Sequence, residues 1–186
     1  GSGDLVLAGS NDGILGARSG GVLINDSNIV GAGHIGDGDW SLKLINESCG
    51  VIDANQDGGT LAIDTGHQAI VNDGVLAASN HGTLLVESAV NNSCGSIVAC
   101  SGGTVDLQGL VLGGSATIDG GTVSYAAAFG VNTAFANNVP GQISTLVLHG
   151  TGLSFITDAI SGFSHGDVID LADIAYNSST SFKLFG

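Results

Sequence analysis

Between Cys49 and Gln108 apolar and polar residues alternate in short bursts of period two, and the bursts recur. Three stretches, Cys49–Asp64 (CGVIDANQDGGTLAID), Asp73–Glu87 (DGVLAASNHGTLLVE) and Cys94–Gln108 (CGSIVACSGGTVDLQ), match position by position. Ile52 and Ala54 correspond to Leu76 and Ala78, then to Ile97 and Ala99; Leu61 and Ile63 correspond to Leu84 and Val86, then to Val105 and Leu107. Alternate residues of an extended chain face one side, so each stretch supplies two short strands with a single apolar face. A third inward segment, carrying Ala69-Ile70, Ala89-Val90 and Leu110-Val111, precedes the next stretch. Clusters of Asn, Asp, Gly and Ser, such as those at 55–58 and 91–93, separate the bursts with turn chemistry. The Gly-Thr pairs begin at residues 59, 82 and 103, which are 23 and then 21 apart. Three strands and three turns in about 21–24 residues make one coil of a solenoid. The expected fold is all-β: a right-handed parallel β-helix, its hand following the usual crossover rule.

Weaker copies flank this centre. Residues 20–24 (GGVLI) and 40–44 (WSLKL) read as strands before it, and 116–118 (ATI) with 121–125 (GTVSY) continue after it. About 22 residues per coil allows roughly eight coils, a rod near ~40 Å at strand spacing. The pattern shifts near residue 126. All six phenylalanines (Phe129, Phe135, Phe155, Phe163, Phe182, Phe185) and the one proline, Pro140, lie beyond it. Residues 1–125 therefore read as regular coils, and 126–186 as a distinct C-terminal part continuing or capping the same solenoid. In that part Phe129 and Phe135 are expected to widen the core, to cover a sheet edge, or to sit as ordinary aromatic core residues.

Composition narrows the partners. Seventeen acidic residues against three basic ones (Arg18, Lys43, Lys183) give a net charge of −14, which disfavours nucleic acid and anionic membranes, since both are held by Lys and Arg. A hydrophobic share of 43% with 5% aromatics, no methionine and 32 glycines implies a narrow core of Val, Ile, Leu and Ala. No apolar run reaches the ~18–20 residues of a membrane-spanning helix, and no targeting segment stands out. Gly1-Ser2 reads as a cloning remnant, and the strand-like 181–185 (SFKLF) before Gly186 as the cut end of something longer. Cys49 and Cys94 share a repeat position two rungs apart, about 9–10 Å, beyond the ~7 Å reach of a disulfide. Together with Cys100 they are expected to be free, partly buried thiols.

The run 28–39 (NIVGAGHIGDGD) and the three copies after it resemble the glycine-rich repeats of large secreted bacterial adhesins and autotransporter passenger domains. The segment 160–171 (ISGFSHGDVIDL) is similar to one recurring there and in hemolysin-type exoproteins. The resemblance covers about residues 20–175. It implies a non-catalytic structural or adhesive segment of a secreted, surface-exposed bacterial protein, contacting a host or abiotic surface or a polysaccharide or protein ligand. The Gly-Gly-x-Gly-x-Asp nonapeptide of the calcium roll is missing from the sequence, so calcium is not implied by the resemblance. His34 and the cysteines also stand where such repeats usually carry small or polar residues.

Candidate chemistry is sparse. Asp37 and Asp39, in the glycine-rich turn 36–39, and Asp167 and Asp170, with Asp173 nearby, are the calcium candidates, because carboxylates and backbone carbonyls are what that ion requires. The competing reading makes them solvated or turn-holding acids. A polysaccharide-active enzyme would need two carboxylates about 5–9.5 Å apart. Asp64 and Glu87 align for that, but Asp106 aligns with Leu85. Sugar sites also offer aromatic faces; the single Trp40 is expected instead to cover the core of an N-terminal coil. His34, His67, His81, His149 and His165 share no repeat position, and no Gly-x-Ser-x-Gly elbow supports a nucleophile. Ordering of ice would require two outward threonine columns, and Thr60, Thr83, Thr104 and Thr122 make one.

Overall fold

The protein is described from a computed structural model covering residues 3–127, 129–136, 141–150, 159–173 and 175. Pro140, Phe155, Phe182, Phe185, Lys183, residues 1–2 and the strand expected over 181–185 lie outside the described residues. The chain forms a parallel β-solenoid of about 7 turns, with no helix among the described residues. Its strands are β1 (Asp4–Ile14), β2 (Gly21–Asn25), β3 (Asn28–Ile35), β4 (Leu42–Asn46), β5 (Val51–Ala54), β6 (Thr60–Ile63), β7 (Ile70–Asn72), β8 (Val75–Ala78) and β9 (Thr83–Val86). They continue as β10 (Val90–Asn91), β11 (Ser96–Cys100), β12 (Thr104–Leu107), β13 (Val111–Asp119), β14 (Thr122–Tyr125), β15 (Phe129–Phe135), β16 (Thr145–His149), β17 (Ile160–Ser161) and β18 (Val168–Ala172).

Every ladder between these strands is parallel, and three sheets run along the stack. The first joins β1, β3, β5, β8, β11, β13, β15 and β17. The second passes from the end of β3 through β6, β9, β12, β14 and β16 to β18. The third runs through β2, β4, β7 and β10 to the start of β13. Long strands such as β3 and β13 serve two sheets by bending at glycines, which tolerate left-handed backbone. Gly114, at φ 68°, is one such bend; a Cβ there would strike the Asn92 carbonyl oxygen.

The register stacks like upon like, which is what lets identical shapes pack without voids. Leu61, Leu84, Val105, Val123 and Leu146 form one buried column, and Ile29, Ile52, Leu76, Ile97 and Ala116 another. The alternation read from the three central copies is therefore the true register. Outward, Thr60, Thr83, Thr104 and Thr122 fall in one column as expected, and Thr145 extends it.

The core widens along the axis. Where Ala54, Ala78 and Ala99 stack, the next members of the column are Ile118 and then Phe135. Phe129 and Phe135 are both buried, and Phe129 stacks on buried Tyr125 at 4.0 Å between ring centroids. Tyr125 keeps its hydroxyl satisfied by Thr133 Oγ1 at 3.2 Å. Coils are also longer in places than the central period: Asn46 and Asn72, stacked neighbours, are 26 residues apart. These are balanced by shorter coils later in the chain: the first sheet steps from Leu5 through Ile29, Ile52, Leu76, Ile97, Ala116 and Thr133 to Ile160, so the described residues make about seven turns at the expected average of ~22 residues.

Candidate functional site

The interior holds a polar column that the alternation did not reveal. Asn25, Asn46, Asn72 and Asn92 end strands of the third sheet or follow one, and all four are buried. Asn25 Nδ2 donates to Asn46 Oδ1 at 2.8 Å, Asn46 Nδ2 to Asn72 Oδ1 at 2.8 Å, and Asn72 Nδ2 to Asn92 Oδ1 at 2.6 Å. The same amide nitrogens also donate to backbone carbonyls: Asn25 to Val51, Asn46 to Gly50 and Val75, Asn72 to Ser96, and Asn92 to Gly113 and Ser115. The column ends there because Gly113 and Gly114 replace the next asparagine turn. No buried side-chain nitrogen or oxygen among the described residues lacks a partner. The spacings of 21, 26 and 20 residues are uneven, so only the shared Asn-acid or Asn-Ser ending of each segment could have betrayed it.

The calcium candidates fall into two separate turns. In the first, Asp37 Oδ1 accepts the Asp39 amide at 3.4 Å and Asp39 Oδ1 the Ser41 amide at 2.8 Å. Hydrogen bonding from Ser41 holds the Asp39 carboxyl below the ordinary aspartate range. In the second, Asp167 Oδ2 accepts from the Ser164 amide at 2.8 Å and from its hydroxyl at 3.2 Å. Asp170 points outward from β18, opposite Val147 of β16. Asp173 instead meets His149 Nδ1 at 2.7 Å. Among the described residues no three His, Cys, Asp or Glu side chains converge as a metal site would require.

Asp64 and Glu87 do follow equivalent strands of adjacent coils, with the Glu87 amide bonded to the Ile63 carbonyl. Asp64 Oδ1 accepts from the Gly66 amide at 2.9 Å and from Ser88 Oγ at 3.3 Å, so this carboxylate holds its own corner. Asp106 lies in a different column, in register with Leu85. The cysteines are free; Cys49 and Cys94 are exposed rather than partly buried, because they sit at turn tips outside the third sheet, and Cys100 is half-buried. Burial, then the neighbouring Asp53, pushes the Cys100 thiol up. The third segment faces inward only through Ile70, Val90 and Val111; Ala69, Ala89 and Leu110, expected inward with them, turn outward because alternate residues of a strand take opposite faces, and with Leu112 they line a depression of about 340 Å³ on the outer side of that sheet.

Trp40 departs most from expectation. It does not cover the core: it is 56% exposed and lies in the turn between β3 and β4, with φ 67°. β4 begins only at Leu42. The Trp40 ring packs against His67 of the next coil, centroids 4.5 Å apart and planes tilted by 41°. Its carbonyl accepts Gln68 Nε2 at 2.6 Å. A Cβ on Gly66 would fall on the indole, so only glycine leaves room for the ring there. Asp37, Asp39 and Asp64 border the same corner, Asp64 lying where a Gly38 side chain would be. The sequence signal was the Gly-Asp-Gly-Asp-Trp run itself, in which flanking turn residues leave the tryptophan outside the strand.

No protein-family model, no curated protein and no solved structure matches this chain.

Proposed function

We propose that this chain is a non-catalytic structural and adhesive segment of a secreted, surface-exposed bacterial protein. The observation that carries the reading is the closed interior: apolar, asparagine and threonine columns repeat rung after rung, so each coil is a building block whose polar groups are spent on its neighbours. Such a stack spreads backbone hydrogen bonds along a rod and leaves the outward turns to contact partners. The resemblance of residues 28–39 and of the three copies to adhesin and autotransporter repeats supports the same reading. The acidic outer surface agrees with a partner other than nucleic acid or anionic lipid.

Labelling Cys49 and Cys94 with a fluorescent maleimide allows a direct test. The labelled protein is incubated with silica, polystyrene, cellulose and chitin, and retention is read together with released reducing ends. Retention on at least one surface with no release is expected. Failure to adsorb on any of them overturns the adhesive role, and release of reducing ends overturns the non-catalytic one.

A further inference from the structure

The Trp40 corner is built to hold an aromatic face outward. A bulky residue at positive φ is a genuine outlier, and such backbone persists only where its surroundings impose it. Here they do: the Asp39 carboxylate bonds the Ser41 amide across Trp40, Gln68 of the next coil fixes the Trp40 carbonyl, and Gly66 makes room for the ring. His67 props the indole from one side. Indole surface gains most by leaving water, yet the fold keeps the ring largely in solvent.

A flat exposed indole in a turn that also carries carboxylates suits one ligand chemistry. The apolar C–H face of a pyranose would lie on the ring while its hydroxyl hydrogens find carboxylates nearby: Asp37 and Asp39 belong to the turn that carries Trp40, and Asp64 of the next coil lies against Gly38 of that turn. The same carboxylates, in a chain of net charge −14, repel uronic acids and sulfated sugars. We infer that the corner formed by Trp40, His67, Gln68 and the bordering aspartates is a binding subsite for a neutral saccharide. It rests on the adhesive reading above and gives that reading a ligand class.

The chain has one tryptophan, so its emission reports this corner alone. Cellohexaose, N-acetylchitohexaose and hexagalacturonate are titrated into the whole protein in 0.15 M salt. A saturable change with at least one neutral hexamer is expected, with affinity at least about tenfold above that for hexagalacturonate. Calorimetry on Trp40→Ala is expected to show that binding lost, with the melting curve unchanged because the ring is exposed; Trp40→Phe is expected to retain part of it. Absence of a saturable response to both neutral hexamers overturns the inference, as does equal affinity for hexagalacturonate or full binding by Trp40→Ala. The two readings fail separately. Adsorption to a surface without a Trp40 response removes this subsite and leaves the adhesive role standing; a Trp40 response accompanied by released reducing ends removes the non-catalytic role and leaves the subsite.

Discussion

Asn72 is the residue on which two coils depend at once. Its Oδ1 accepts from Asn46 and its Nδ2 donates to Asn92, all with no exposure to solvent. Replacing it by alanine strands a buried donor on one side and a buried acceptor on the other, and unsatisfied groups in a low-dielectric interior cost about 1–3 kcal/mol each. Asn72→Ala should therefore lose about 2–5 kcal/mol in guanidinium denaturation, whereas Asn91→Ala, next to an exposed turn, should lose under about 1 kcal/mol. Asp53 makes the opposite kind of prediction. Burial raises its carboxyl above the ordinary range, with Ser79 Oγ at 2.9 Å pulling it back. A raised value means the folded chain holds the proton more tightly than the unfolded chain. The stability it contributes is thus full below the unfolded pKa of about 3.9 and is lost as pH rises through the folded value. Asp53→Asn should raise the melting temperature at pH 7, by less than the ~4 °C that 1 kcal/mol produces at this size, and the gain should fade below pH ~4 as the wild-type acid becomes neutral.

At the scale of the strand, period two decides which substitutions matter. Leu84 of β9 is fully buried between Leu61 and Val105, while Thr83 beside it faces outward between Thr60 and Thr104. Leu84→Ala should cost about 2–5 kcal/mol by loss of transfer energy and by the cavity left behind. Thr83→Ala should cost no more than about 1 kcal/mol, the worth of its cross-strand contacts. Leu84→Asp should abolish the cooperative melting transition, and an unchanged curve would refute the inward assignment. Much of this layer was legible in the sequence: the copies at 49–64, 73–87 and 94–108 place every inward Ile, Leu and Val correctly. Trp40 was not, because the sequence around it alternates like a strand while the glycine-rich turn, held by Asp39 and Gln68, swings it outside.

For the whole molecule, stacked coils at about 4.8 Å give a rod of roughly 30–35 Å whose surface is strongly acidic. Like charges repel across the short distance between rungs, and salt shortens the reach of that repulsion from about 30 Å at 0.01 M to about 3 Å at 1 M. The melting temperature should rise between those two salt concentrations. With Asp37, Asp39 and Asp167 already bonded to backbone amides, millimolar calcium should stabilise no more than the same concentration of magnesium in differential scanning calorimetry. A calcium-specific rise that chelator reverses would return those turns to the list of cation sites.

What the sequence determined by itself was the kind of fold and its rung. Local alternation and repeat spacing are properties of consecutive residues, and a strand's two faces follow from backbone geometry alone. What only the tertiary structure decided was what neighbouring coils do to one another. The asparagine column joins residues 20 to 26 positions apart at uneven intervals, and the Trp40–His67 corner joins two turns whose residues share no repeat position. Both depend on how far each turn reaches before the next strand begins. Turn length sets stacking across coils, and no period within a single coil encodes it.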